Sequence, residues 1–466
     1  MTDRTWTRAL AEFIVGADTS AAPAGVRALA MRPIADTIGC MSAGLSSDLA
    51  AVIGAYTGAP GDLTLDALWG AGPRVPAEQA ALTGGALGAA LDYDDVSAIG
   101  HPSSILLAAI LSTDLQALPG ADVLDAYLIG YEVTTRLGQA MMLPHTRYGW
   151  HATSTTGYFG AVAVAARLYR MDVEQTMHAI GIAASMAGGI ARNFGTMTKP
   201  LHSGLAARGG LTAAGLARAG LTAGRDVLDG PRSYLEMYGL GQATPEAFDR
   251  LGSPWAMSDR APSLKRFPSC YATHRPIDAM LEIQAAHDFS VDEVEEIVVR
   301  APIRATGGLT YPRPVTGLEA KFSGTYPVAA AFLDRDVTIG SFADAQVLRP
   351  DAVRLIEKID LAEDPRCLPE DPEGVNASPI EGGFWEVTVR AVDGRRVTAT
   401  AAEPPGSPNR QLDWPELRDK FVDCATSAGH DAGAAEAVFS RLQALPEVGD
   451  LRTLIGTLGS REAAHG

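Results

Sequence analysis

Cysteine is scarce in this chain. Cys40, Cys270, Cys367 and Cys424 are the only four, and no two of them form a Cys-x-x-Cys pair. This scatter excludes a disulfide framework and a thiolate-held iron–sulfur cluster, and it suits the reduced thiols of a cytoplasm. Basic residues are outnumbered 38 to 55 by acidic ones, leaving a formal net charge of -17. Nucleic acid and anionic membrane surfaces both reward a basic face, so neither is expected as a partner. No uninterrupted apolar run reaches the roughly 18 residues of a membrane span, and Met1-Thr2-Asp3-Arg4-Thr5-Trp6 has no basic region followed by an apolar one. A soluble, cytoplasmic protein is expected. Aromatic residues make up only 6%, too few for the core of a large all-β fold. No repeat of fixed period is present, which weighs against a helical solenoid acting as a binding scaffold.

What is abundant is alanine, glycine and leucine at helical spacing. At 466 residues the chain exceeds one compact core, and two domains follow as the prior. From Trp6 to about Tyr238 the apolar residues recur near 3.6, with helix starts at Pro76-Ala77-Glu78, Ala121-Asp122 and Asp172-Val173-Glu174. After Pro254-Trp255 the pattern changes. Val294–Arg300 has the β-branched content of a strand, and Phe384–Val389 with Arg396–Thr400 flank Asp393-Gly394 as a hairpin. Residues 326–334 and 350–359 carry helical spacing, and helices return with Pro415-Glu416 and Ala434-Ala435. The expected fold is mostly α: a large all-helical domain from both chain ends (1–262 and 404–466) plus a smaller α/β domain (263–403).

Four breaks hold the candidate chemistry. In Gly195-Thr196-Met197-Thr198-Lys199-Pro200-Leu201-His202, Pro200 biases Lys199 toward an extended conformation, and a helix is expected to open at Ser203-Gly204. The helix dipole, Arg192 and His202 would each disfavour the ammonium, making Lys199 a candidate base. Asp92-Tyr93-Asp94-Asp95 precedes His101-Pro102-Ser103-Ser104, so a carboxylate can orient His101 and keep it protonated as an acid. The same carboxylates and imidazole are a second, weaker reading as ligands of a divalent metal, although His-Glu-x-x-His is absent and Cys270-x-x-x-His274 supplies only two donors. Tyr148, before Gly149-Trp150-His151, is a candidate proton donor. Lys265, Arg266 and Arg275, with Arg192, Lys199 and Arg208, form a cationic set suited to a small polycarboxylate.

These motifs, together with Lys265-Arg266-Phe267-Pro268-Ser269-Cys270, His274, and Ala320-Lys321-Phe322-Ser323 with Tyr326, resemble the MmgE/PrpD family over nearly the whole chain. The family includes 2-methylcitrate dehydratase, cis-aconitate decarboxylase and iminodisuccinate epimerase. The resemblance implies a homodimer of two-domain chains, the α/β domain acting as a lid, and a cleft working without metal or organic cofactor. It places Asp92, His101, His151, Lys199, His274 and Tyr326 in that cleft. The dehydratases place Asp-Asn after His-Pro-Ser where Ser104-Ile105 stands here. The decarboxylases place a threonine after the Asp-Asp pair and a longer loop before the histidine, where this chain has Val96-Ser97 and a shorter loop.

All three reactions pass through a carbanion or enol-like species next to a carboxylate, so the shared requirement is a base plus positive charge where negative charge develops. In its length and in these departures the chain resembles the iminodisuccinate epimerase branch most, so the expected activity is epimerisation of iminodisuccinate, with Lys199, His101, Tyr148 and His151 catalytic and Asp92, Arg192, His202, His274 and Tyr326 binding substrate. A 2-methylcitrate dehydratase or a cis-aconitate decarboxylase type of lyase is the alternative. A binding scaffold is the non-enzymatic one.

Overall fold

A computed structural model of the chain describes residues 5–58, 63–70, 75–97, 100–369 and 382–458. Met1–Arg4, on which part of the expectation of no leader rests, and Ala98–Ile99 of the first break lie outside the described residues. The chain divides into two compact units. One comprises residues 1–192, 200–262 and 413–466, and the other 193–199 and 263–412.

The first unit is helical, and its long helices Ala24–Gly44, Gly120–Tyr148 and Ala152–Leu168 explain themselves from composition. Every residue of Ala152–Ala166 is buried. Alanine, glycine and threonine on such helices let backbones approach closely, and each larger apolar side chain they bury stabilises by about 1.5–3 kcal/mol. Helices Ala77–Gly88 and Thr198–Arg218 cross where Gly85 meets Gly204: a Cβ built on Gly85 would lie 2.8 Å from the Gly204 Cα. Any side chain there would force the helices apart.

The start signals hold where capping chemistry is explicit. Asp172 and Gln175 form a reciprocal capping box ahead of helix Val173–Met186, and Asp413 and Glu416 form another ahead of Trp414–Ser427. Helix Trp414–Ser427 packs on Ala24–Gly44, joining late residues to early ones. Lys420 and Asp36 form a buried ion pair at 2.6 Å within this packing. Removing one partner of such a pair costs about 3–5 kcal/mol, because the other charge is left in a dry interior. No single helix among the described residues is long and apolar enough to cross a membrane.

The second unit is built on a four-stranded mixed sheet of order β2-β1-β3-β4, with β1 at Val294–Ala301, β2 at Ile359–Glu363, β3 at Trp385–Ala391 and β4 at Arg396–Ala401. β1 pairs parallel to β2 (Ile297 opposite Ile359) and antiparallel to β3 (Val299 opposite Val387), and β3 pairs antiparallel to β4. Helix His274–His287 packs on β3 and β4, and Tyr326–Asp334 packs on that helix. Ile283, Phe289, Val299, Phe332 and Trp385 belong to the shared core.

Three sequence expectations change here. Residues 350–359 do not form one helix. The helix ends at Ile356 and the chain turns into the edge strand β2, whose five residues are mostly solvent-facing and too short for a legible alternation. Residues 404–412 pack with the second unit rather than the first, the Leu264 N–H donating to the Gly406 carbonyl. Lys199 is helical, not extended. Helix Thr198–Arg218 opens at Thr198, and Pro200 sits in its first turn, where no backbone N–H is required.

Candidate active site

In the first unit the chain brings three histidines together. Helix Ala77–Gly88 runs out at Ala89, and the backbone then turns through Asp92 at φ +51°, a left-handed conformation that aspartate tolerates better than most residues. His101 is the N-cap of helix Pro102–Leu111, with proline in the first turn. The short loop between is closed by paired backbone hydrogen bonds, Ser97 N–H to Gly100 O at 2.8 Å and Gly100 N–H to Ser97 O at 3.0 Å. Gly100 has φ +120°, and a Cβ there would lie 2.5 Å from Thr153 Oγ1, the atom that accepts the His101 N–H. Glycine is therefore required at that position.

Around the His101 ring, Nδ1 lies 2.8 Å from the Asp95 carbonyl and 3.4 Å from Asp94 Oδ1, while Nε2 lies 3.8 Å from Asp92 Oδ1. A ring nitrogen facing a carbonyl must carry a hydrogen, so Nδ1 is the donor in either charge state. Asp92 and Asp94 are buried and favour the imidazolium. Asp95 does different work. Its carboxyl shares a 2.5 Å hydrogen bond with Ser103 Oγ, which in turn contacts Tyr127 OH at 2.6 Å. Burial first, and the neighbouring Asp94 charge, push Asp95 up to about 8, so it is largely a neutral acid at pH 7. Asp92, Asp94 and His101 each offer one ligand atom, all within 4.8 Å of one another, so this trio is also the place where a divalent cation would be held.

His151 is the N-cap of helix Ala152–Leu168, its N–H donating to Gly189 O at 3.0 Å. Its ring centroid lies 6.4 Å from that of His101 and 5.0 Å from that of His202. His151 Nδ1 and His202 Nδ1 are 2.8 Å apart, and both residues are buried. One nitrogen donates and the other accepts, so at least one Nδ1 is unprotonated and the neutral acceptor ring must carry its hydrogen on Nε2. The pair therefore always carries at least one Nε2–H.

In the second unit the Lys199 ammonium is buried and lies 5.8 Å from the centroid of the Phe322 ring. Phe194 packs on Phe322 at 5.6 Å, and Tyr311 OH donates to the Phe194 carbonyl at 3.1 Å, fixing the loop ahead of Lys199. Lys199 and His202 stand three residues apart in helix Thr198–Arg218. His274 is buried, its ring 5.2 Å from Phe267 and 5.1 Å from Tyr271.

Other expected site residues find different roles. Tyr148 ends helix Gly120–Tyr148 with 72% of its surface exposed. Tyr326 belongs to the apolar core of the second unit, and its hydroxyl donates to the Ser341 carbonyl, where burial holds it up at about 12. Arg192 is exposed. Of the cationic set, Arg275 Nε donates to Ala402 O at 2.6 Å, and Arg266 is half-exposed with Asp336 3.9 Å away. Sequence reasoning missed His145, buried with Nδ1 on Tyr238 O and Nε2 on Thr155 Oγ1, as well as Lys420. A cavity of about 770 Å³ lies elsewhere in the first unit, lined by residues including Asp114, Asp125, Arg167, Tyr169 and Arg218. It contains none of the site histidines. Arg167 is already paired with Asp125 there, and Arg218 stacks on Tyr169.

The MmgE/PrpD N-terminal domain matches residues 8–246, and the MmgE/PrpD C-terminal domain matches residues 267–443. The chain belongs to the MmgE/PrpD family. Cis-aconitate decarboxylase of Mus musculus is 29% identical over 433 residues, covering 89% of this chain and 86% of its own. The Homo sapiens protein of the same name is 29% identical over 408 residues, covering 84% and 81%. A cis-aconitate decarboxylase-like protein, oryM, of Aspergillus oryzae is 28% identical over 384 residues, covering 76% and 77%. Two of these MmgE/PrpD relatives are named for the lyase reaction that stood as the alternative, and the third is named as like them. They lend no support to iminodisuccinate epimerisation.

Proposed function

We propose that the protein is a decarboxylating lyase acting on an unsaturated tricarboxylate of the cis-aconitate type. The observation that carries this reading is the clustering of His101, His151 and His202 beside two buried carboxylates, in a chain whose relatives across most of its length bear that name. In cis-aconitate the carboxymethyl group is β,γ-unsaturated. When its C–C bond to the carboxylate breaks, the electron pair enters the adjacent alkene, and the double bond shifts to the former methylene carbon. Negative charge then rests on the far alkene carbon, which bears another carboxylate, and a proton delivered there completes the product with release of carbon dioxide.

The residues have parts in this reaction. The His151–His202 pair would present its Nε2–H to a substrate carboxylate, where charge accumulates as the bond breaks. His101, kept as imidazolium by Asp92 and Asp94, would deliver the proton to carbon. Lys199, one turn ahead of His202 in sequence, would match a second carboxylate with its ammonium.

The deciding experiment incubates the purified protein separately with cis-aconitate, 2-methylcitrate and iminodisuccinate in deuterated water and follows products by NMR. Carbon dioxide from cis-aconitate, with one deuterium on the carbon next to a carboxylate, is expected. Loss of water from 2-methylcitrate alone, or isotope exchange in iminodisuccinate without either loss, would overturn the reading.

A further inference from the structure

The turn that carries Asp92 and Asp94 is held from beneath by residues from both ends of the sequence. Lys420 Nζ, in helix Trp414–Ser427, lies 2.6 Å from Asp36 Oδ1 in helix Ala24–Gly44 and donates to the Tyr93 carbonyl at 2.9 Å. It also stands 4.0 Å from the centroid of the Tyr93 ring. Only 4% of the Lys420 side chain and 1% of Asp36 is accessible, so water does not compete for these contacts. An ammonium with one hydrogen on a carboxylate and another on a carbonyl has little rotational freedom left.

Tyr93 is the residue between the two carboxylates that flank His101. Its carbonyl belongs to the peptide linking it to Asp94, so fixing that oxygen fixes the plane from which Asp94 departs. On the other side Asp92 has φ +51°, a conformation that persists when its surroundings determine it. The Lys420 contact is placed to supply that determination, at a point 327 positions away in sequence. A pair needed only to join two helices has no requirement to reach this carbonyl.

We infer that Lys420 is a positioning residue for the site: oriented by Asp36, it clamps the Tyr93 carbonyl and thereby sets Asp92 and Asp94 against His101. Its catalytic consequence rests on the decarboxylase reading above, whereas its geometric consequence does not. Lys420 touches no reacting atom and acts through the turn.

Removing one partner alone would strand a buried charge, so the test removes both, as Asp36→Leu with Lys420→Met. If that variant fails to fold by circular dichroism, Asp36→Asn with Lys420→Met takes its place and is read in the same way. Two quantities are measured on the full chain. The first is the ¹³Cε1 resonance of His101 at fixed pH, assigned through His101→Gln, with His178, whose ring is held by Ala223, as internal reference. The second is kcat and KM for cis-aconitate. A displaced His101 resonance with His178 unmoved is expected, together with a kcat lower by about 10–100-fold at unchanged KM, the usual cost of losing a supporting residue behind a functional one. Asp413→Ala, which removes the N-cap of the same helix without touching the clamp, should lower thermal stability and leave kcat as in wild type. A folded double variant whose His101 resonance coincides with that of wild type overturns the inference, and so does one with wild-type kcat. Should wild type release no carbon dioxide, the decarboxylase reading fails by that result, and the His101 resonance still decides the clamp.

Discussion

The Nδ1 atoms of His151 and His202 lie 2.8 Å apart, which makes two buried imidazoles a single hydrogen-bonded unit sharing one proton between those atoms. Replacing either residue alters the tautomer of the other. His202→Phe should therefore lower kcat by about 100-fold or more, comparable to loss of an aligned donor, and His151→Phe should do no further damage when added to it. Steady-state kinetics of the two single variants and the double variant check this; additive losses would mean independent roles.

Lys199 has its ammonium beside Phe322 in a buried position. Lys199→Met should keep the length and apolar fit of the side chain while removing charge, raising KM for a tricarboxylate and lowering kcat/KM by about 100-fold. Initial rates across substrate concentration measure both, and an unchanged kcat/KM would remove Lys199 from the site.

Tyr148 supplies the opposite expectation. With 72% of its surface exposed, Tyr148→Phe should leave kcat as in wild type and change stability by less than about 0.5 kcal/mol. A large kinetic loss would restore the proton-donor role first assigned from sequence.

Asp95 predicts a pH dependence of stability. Its folded value is raised from 3.8 to about 8, so between those limits the folded state holds a proton that the unfolded state has released. Its contribution is fully present below pH 3.8 and is lost as pH rises through 8. Asp95→Asn, uncharged throughout, should raise the melting temperature relative to wild type by an amount that grows from pH 5 to pH 8. Calorimetric scans across that range test it, and a pH-independent difference would contradict a neutral Asp95.

His145 acts with the opposite sign. Burial lowers its value below 6.5, and its contacts with Tyr238 O and Thr155 Oγ1 fix the neutral tautomer with hydrogen on Nδ1. Its contribution is present above pH 6.5 and lost as pH falls below the folded value. Wild type should lose melting temperature between pH 7 and pH 5 more steeply than His145→Gln, as thermal scans at the two pH values would show.

Much of the frame was legible because its signals are local. Asp172 and Asp413 announce helices through capping boxes completed three residues later, and Asp393-Gly394 announces the turn between β3 and β4. The cluster of His101 with Asp92 and Asp94 was legible for the same reason, since about ten residues contain it. Contacts between distant positions were not. Nothing in the neighbourhood of Lys420 points to Asp36 or Tyr93, and His151 is joined to His202 only by the packing of helices 51 residues apart. Tyr326 shows the limit of carrying a motif onto a side chain: the residue type matched, but its hydroxyl is used by Ser341. β2 escaped because an exposed five-residue edge strand carries no alternation to detect.

The division of the chain into interleaved segments also orders events during synthesis. Residues 193–199 and 263–412, which make up the sheet-containing unit, have all been made once position 412 is added. The helical unit, begun first, still lacks Trp414–Ser427 and with it the ammonium that pairs with Asp36. On a ribosome, where domains fold as units while the chain emerges, the unit started earliest is the one completed last. Until then Asp36 lacks the Lys420 ammonium, on a helix made almost four hundred residues earlier, and a stop codon shortly before Lys420 would withhold that partner permanently.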